Sequence, residues 1–291
     1  MNSEQFLQWC HAEAQPIRSS IESRKPLIMG ILNITPDSFS DGGCFVTVAQ
    51  AVQRAREMIA EGADIIDVGG ESSKPGASSV SFEEEIQRVI PVIEGIRAES
   101  DICLSIDTAK AFVMQAAVGA GASMINDITA LSGIDSLEVA ARLNVPVCLM
   151  HMRGVPKSMQ DDPYYAVDPV DEINRFFEER IAACMLAGIQ KNHLVLDPGF
   201  GFGKQVQHNL NIVKRLNEFK QHQRPLLLGV SRKSTIGAVL DKPIGARLSG
   251  SIATTVYAAL QGVSIIRTHD VDETNQALSM VQSIYNSRRS S

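Results

Sequence analysis

Asn33, Asp67, Asp107, Asn126, Asp197, Lys233, Arg267 and His269 each stand at or just past the end of a short apolar run. Glu71, Asp127, His151, Ser231 and Arg232 occupy comparable places. Asp107 and Asp197 close the runs at 103–106 and 194–196, whose apolar character suits a buried lining. A carboxylate there needs a partner, because burying an unpaired charge is costly. A ligand presenting adjacent N–H donors would supply one. Lys233, Arg267 and His269 add positive charge; Arg267 and His269, two apart, project to one side of a strand and suit an anionic group. Plainer readings exist for each residue. Asp107 can cap the following helix, Asp197 before Pro198-Gly199 can form a turn, and the cations can pair with the two carboxylates. The residue types alone leave these readings level; it is the concentration of polar strand ends that favours a site.

The elements that must position these residues follow from hydrophobic periodicity. Short β-rich runs at 27–32, 64–68, 102–106, 123–126, 145–150, 193–196, 225–230 and 263–267 alternate with amphipathic stretches. Helical spacing of apolar or small residues is clear at 46–61 (Val48, Ala51, Val52, Ala55, Met58, Ile59) and at 82–96 (Phe82, Ile86, Val89, Ile90, Ile93). Gly62, Gly121, Gly188 and Gly262 fall just before the next strand, where a left-handed helix cap is wanted. Eight such βα units predict a single (β/α)8 barrel, with an open doubly wound sheet as the second choice. No linker or composition shift divides the chain, so we read residues 1–25 as a short N-terminal extension and 26–291 as one domain. In a barrel of this kind ligands bind at the C-terminal ends of the strands, where the polar residues fall.

Composition narrows the function classes. The 291 residues carry 27 Lys and Arg against 33 Asp and Glu, a net charge of −6, with the basic residues scattered. That excludes the electrostatic footprint of nucleic-acid or anionic-membrane binding. No apolar run is long enough to span a bilayer, and the first residues lack a signal-peptide layout, so a cytoplasmic protein is expected. The five cysteines (Cys10, Cys44, Cys103, Cys148, Cys184) are dispersed, which predicts reduced thiols, and the histidines show no zinc-binding spacing. The glycine run at 199–203 followed by Lys204 lacks the spacing and the Ser or Thr of a phosphate loop. Two long polar loops, 35–45 and 72–81, are candidate lids on the active face.

Taken in order, the motifs resemble those of a known family. They are MGILNITPDSFSDGG at 29–43, DVGGESSKPG at 67–76, SIDT at 105–108, INDI at 125–128, MHM at 150–152, LDPGFGFGK at 196–204, SRKS at 231–234 and IRTHD at 266–270. The chain resembles the dihydropteroate synthases of folate biosynthesis. That resemblance implies a (β/α)8 fold and a transferase joining (7,8-dihydropterin-6-yl)methyl diphosphate to 4-aminobenzoate, with Mg2+ assisting. It implies that Asp107, Asn126, Asp197 and Lys233 surround the pterin. Asn33, Ser73, Arg267 and His269 would surround the diphosphate, with Asn33 on the metal. Met150, Phe202, Gly229 and Ser231 would complete the substrate pocket, and Asp107, Lys233, Arg267 and His269 would take part in the chemistry. A homodimer is implied as well. The chain departs from the family pattern at Ser73-Lys74, where Thr-Arg is usual; Lys74 cannot reproduce the planar grip of an arginine.

The implied chemistry suits these residue types. The 2-amino group and ring N–H of a pterin form a donor pair that a carboxylate accepts at two points. Two other readings compete. A corrinoid-dependent methyltransferase would share the pterin-facing Asp, Asn and Asp but has no use for the anion-binding set at 33–37, 231–233 and 267–269. A catalytically inert pterin-binding protein would show binding without turnover.

Overall fold

A computed structural model describes residues 1–13, 25–35, 47–72, 79–154, 159 and 163–287. Among these, strands and helices alternate as α1 Ser3–Glu13, β1 Leu27–Asn33, α2 Val48–Ala60, β2 Ile65–Gly69, α3 Phe82–Arg97, β3 Cys103–Asp107, α4 Ala111–Gly119, β4 Met124–Asp127 and α5 Ser136–Leu143. They continue as β5 Val147–Met150, α6 Pro169–Leu186, β6 Leu194–Asp197, α7 Val206–Lys214, β7 Leu227–Gly229, α8 Ser234–Leu240, α9 Leu248–Leu260, β8 Ile265–Thr268 and α10 Val271–Asn286. Every strand pairs in parallel with its neighbours, in the order β6-β5-β4-β3-β2-β1-β8-β7. A single parallel bridge from Leu196 to Leu226 joins the two ends and closes the (β/α)8 barrel. The open sheet is thereby excluded.

All eight expected strands are present, several of them shorter than their apolar runs. Pro146 and Pro225 have no N–H to give to a ladder, so β5 and β7 begin after them. Gly62, Gly121, Gly188 and Gly262 all adopt positive φ, as expected for helix-ending turns that feed the next strand. Local capping matches sequence as well: Thr47 and Gln50 form a reciprocal capping box on α2, and Asp168 caps α6 ahead of Pro169.

Alternation along the strands divides the core in two. Ile28, Ile66, Val68, Leu104, Ile106, Ile125, Leu149, Leu196, Leu228 and Ile266 pack outward against the helices. Leu27, Met29, Ile65, Cys103, Met124, Cys148, Val195, Leu227 and Ile265 fill the interior. Stepping two residues at a time from this inner set toward the strand ends reaches Asn33, Asp67, Gly69, Asp107, Asn126, Met150, Asp197, Gly229 and Arg267. The barrel interior is therefore apolar at one end and densely polar at the other.

The apolar end is plugged by part of the N-terminal extension. Helix α1 lies there, with Phe6, Trp9 and Cys10 buried in the interior cluster and Asn2 bridged to Ile102. Phe6 stacks on Trp9 with ring centroids 5.7 Å apart. We expect Phe6→Leu to lower stability by about 1 kcal/mol, through lost packing and an imperfectly filled space, and to leave kcat unchanged. Thermal unfolding beside steady-state kinetics checks this, since a change in kcat would tie the floor of the barrel to the chemistry at its other end.

Candidate active site

Register sets which polar residues meet. Asn33 pairs with Gly69, Gly69 with Asp107 and Asp107 with Asn126, so four adjacent strands end at one level. Met150 is level with Asp197, and Gly229 with Arg267. Gly69 leaves room at this rim: a Cβ there would sit 3.4 Å from Asn33 Oδ1 and from Asp107 Cβ.

Arg267 ties the floor of this layer together. Its Nε donates to Asp67 Oδ2 at 2.6 Å and its Nη2 to Asp107 Oδ2 at 2.7 Å. Asn126 Nδ2 donates to the same Asp67 oxygen at 3.0 Å. The pairing of cation with carboxylate foreseen as the plainer reading thus holds for Arg267 and Asp107. Arg267 nonetheless uses only two of its three nitrogens on described residues, leaving Nη1 for a further oxygen. Burial pushes the Asp107 carboxyl up, to about 7, against the opposing pull of Arg267. The helix-cap reading of Asp107 does not hold, because Lys110 occupies the cap position of α4.

Asp197 combines both of its readings. One oxygen, Oδ1, accepts the Gly199 N–H at 2.7 Å and so shapes the turn. Oδ2 takes no hydrogen bond from the described residues. Burial raises this carboxyl too, opposed first by Lys233. Gly199 has φ +68, and a Cβ on it would collide with the carbonyl oxygen of His151, so only glycine lets the turn after β6 pass so close to the loop after β5. The glycine run is a close-packed turn of the pocket wall, consistent with its failing the phosphate-loop pattern.

Lys233 enters from the segment after β7. Its Nζ donates to the carbonyl oxygen of Phe200 and lies 4.4 Å from the centre of the Phe202 ring, a cation–π distance. Its low-dielectric setting lowers its pKa to about 8, with Asp197 acting in the opposite sense. Ser231 and His269 also meet: Ser231 Oγ lies 3.0 Å from His269 Nδ1 and accepts the His269 backbone N–H at 3.3 Å. Of the residues singled out, Asn33, Asp107, Asn126, Met150, Asp197, Phe202, Gly229, Ser231, Lys233, Arg267 and His269 all lie at the polar end of the barrel. Ser73, Lys74 and most of the two long loops, residues 36–46 and 73–78, lie outside the described residues.

Other polar strand ends are structural. Asp127 faces outward and accepts from Thr129 N, Thr129 Oγ1 and Leu131 N at 2.7, 2.8 and 2.9 Å, as a turn-former does. Glu71 pairs with Lys110 and accepts the Val80 N–H. Arg232 pairs with Asp270. Two residues were under-read: Asp67, at the centre of the network, and Lys204. The Lys204 ammonium is buried and bonds His151 Nδ1, His151 O and Phe202 O at 3.0, 3.3 and 3.0 Å, knitting two loops together. Burial lowers Lys204 to about 7, and burial with the Lys204 charge lowers His151 to about 2, so that imidazole stays neutral.

Among the described residues no three His, Cys, Asp or Glu side chains are grouped to hold a metal ion, and no helix is long and apolar enough to cross a membrane.

Comparison with known proteins agrees with this geometry. The profile of the pterin binding enzymes matches residues 29–269. Dihydropteroate synthase of Escherichia coli (strain K12) is 53% identical over 264 residues, spanning 91% of this chain and 93% of the relative. The solved Yersinia pestis dihydropteroate synthase with a sulfonamide drug superposes with a TM-score of 0.87 at 50% identity, covering 90% of this chain and 95% of that one. The Xanthomonas albilineans dihydropteroate synthase with 4-aminobenzoic acid gives 0.86 at 46% identity, covering 91% and 95%. Fold, polar rim and sequence thus converge, and the chain belongs to the dihydropteroate synthase family of pterin-binding enzymes.

Proposed function

We propose that the chain joins (7,8-dihydropterin-6-yl)methyl diphosphate to 4-aminobenzoate, forming 7,8-dihydropteroate and diphosphate. The observation that carries this is the polar end of the barrel, where Asp107, Asn126, Asp197 and Arg267 face inward from their strands and the Lys233 ammonium enters from the segment after β7, with one Asp197 oxygen left without a partner among the described residues. Asp197 accepts the ring N–H and 2-amino donors of the pterin, and Asn126 complements them. Lys233 donates toward the ring oxygen and N5 side. Losing any such contact leaves a buried polar group unpaired, which gives selectivity for the pterin.

In the reaction the C–O bond to diphosphate breaks with its electron pair leaving on oxygen, and the arylamine nitrogen forms the new C–N bond before releasing its proton. Positive charge develops on the pterin as the anion departs. In this reading Asp107 stabilises that charge, while Arg267 Nη1 and His269 meet the growing charge of the diphosphate. Holding both partners in line supplies the rest, with no covalent enzyme intermediate. Ser231, which lies beside His269, receives the aminobenzoate carboxylate in this reading.

The residues fit a magnesium ion that arrives with the diphosphate. Asn33 offers one neutral oxygen at the open rim, and such an ion takes its remaining oxygens from phosphate and water. When bound, it would neutralise charge on the leaving group. The buried thiols of Cys103, Cys148 and Cys184, none of them in a disulfide, suit a cytoplasmic setting.

A homodimer belongs to the same proposal. On α9 and α10, Leu278 is core, Ile252, Val256 and Val281 are half-buried, and Leu260 and Ile284 are exposed. Exposed Leu210, Val239, Leu240 and Tyr257 line a mainly apolar groove between α7, α8 and α9 that a second copy would cover. Light scattering on the eluting protein measures the mass directly.

Two titrating groups give a pH prediction. Asp107 must be ionised to hold Arg267 and face a cation; Lys233 must be protonated to donate. We expect kcat/KM to rise as pH approaches about 7 and to fall beyond about 8, the acidic limb belonging to Asp107 and the alkaline limb to Lys233. Lys233→Arg, whose guanidinium stays charged, should move the alkaline limb upward, and an unmoved limb would assign it elsewhere.

The function itself is tested by diphosphate release from the dihydropterin diphosphate and Mg2+, with and without 4-aminobenzoate, alongside chromatography for dihydropteroate. Release coupled to that product supports the synthase. Pterin binding with neither release nor product would leave an inert binding protein.

A further inference from the structure

We infer that Asp67 is a positioning residue that sets substrate specificity: by fixing the Asn126 amide in one orientation, it makes the pocket read the 2-amino edge of the pteridine ring. This rests on the function proposed above and goes beyond it, since Asp67 reaches the substrate only through Asn126 and Arg267.

Asp67 is fully buried in the middle of β2, one inward step below the rim. Its Oδ2 accepts both Asn126 Nδ2 and Arg267 Nε, at 3.0 and 2.6 Å. Its Oδ1 is buried with no hydrogen-bond partner. A carboxylate satisfied on one oxygen only is an expensive thing to bury, and Asp107 already pairs with Arg267. Pairing the arginine therefore does not by itself account for Asp67.

The amide does. An ionised carboxylate only accepts, so the NH2 end of Asn126 must face it; with the ends exchanged, the Asn126 carbonyl would point at a carboxylate oxygen. The orientation fixed in this way leaves the Asn126 carbonyl oxygen, which takes no hydrogen bond from the described residues, and one remaining N–H. A donor beside an acceptor matches an amino group next to an unprotonated ring nitrogen. A 2-oxo pteridine presents an acceptor where that donor should be, opposite the fixed carbonyl. Without Asp67 the amide is free to turn over and meet either ring.

The test compares equilibrium binding of 6-hydroxymethylpterin and its 2-oxo counterpart to the whole protein, with melting temperatures recorded in parallel. The wild type is expected to prefer the 2-amino ring by about 100-fold or more. Asp67→Asn and Asp67→Ala should each reduce that preference by about tenfold or more, chiefly by tighter binding of the 2-oxo ring. The amide introduced by Asp67→Asn can face either end of Asn126, so the charge is lost without change of shape. Asn126→Ala should flatten the preference similarly, and combining it with Asp67→Ala should flatten it no further. A folded Asp67→Asn protein that keeps the wild-type preference would overturn the inference while leaving the proposed function intact. Loss of folding in both Asp67 variants would overturn it too, by making the role one of stability. If the wild type binds neither pteridine, the proposed function fails and the inference with it.

Discussion

Asp107→Asn is expected to lower kcat by about 10²- to 10³-fold while the barrel stays folded. The substitution is nearly isosteric at the end of β3, and Asp67 still holds Arg267 through Nε at 2.6 Å, so the network keeps one anchor. What disappears is a negative charge beside the ring that becomes positive as diphosphate departs. An amide can keep its oxygen toward the guanidinium, but a neutral acceptor then replaces the charged one at 2.7 Å, which weakens the hold on Arg267 at the same moment. Both effects act on the transition state more than on bound substrate, so kcat should fall further than KM rises. Single-turnover rates with both substrates saturating, alongside thermal unfolding, check the expectation. A rate within about threefold of wild type would remove Asp107 from the chemistry and leave it a partner of Arg267 alone.

The barrel and most of its rim were legible because two periodicities are written separately into the chain. The two-residue alternation that buries Ile66 and Val68 against helices turns Asp67 inward, and the same rule turns Asn126 inward and Asp127 outward. Spacing alone, however, does not say who pairs with whom around a closed barrel. Asp67 and Arg267 are 200 positions apart and become neighbours only because β1 lies between β2 and β8. For that reason Asp67, visible as a strand-end carboxylate, received no role until closure put Arg267 and Asn126 on one of its oxygens. Lys204 escaped notice for a different reason: within a glycine run it suggested a loop, whereas its ammonium is consumed by His151 and Phe202. The N-terminal extension shows weak periodicity, since α1 is held by the barrel floor rather than by a broad face of its own: of its residues, Phe6, Trp9 and Cys10 enter the core.

Lys233→Ala is the second large effect, a loss in kcat/KM of about 100-fold or more with little loss of fold. The ammonium stands at the end of a long stem laid across Gly201, with the Phe202 ring on one side and the carbonyl of Phe200 as its acceptor. One carbonyl and one ring face cannot satisfy three N–H donors, so donors remain for a bound ring. This incomplete satisfaction agrees with a pKa lowered to about 8: the charge is tolerated, held in part by Asp197, and fully paired only when substrate arrives. Truncation to alanine removes the donors that orient the ring and takes from Asp197 the cation that most opposes its burial. The loss should therefore fall on pterin binding and turnover together, and the alkaline limb of the pH profile should vanish. Lys233→Met separates packing from charge, because it keeps the stem against Phe202 and loses the donors; it should be as impaired as alanine. Recovery of activity in Lys233→Met would show that the stem, rather than the ammonium, is what the site requires, and would move the cationic role in ring binding to Arg267.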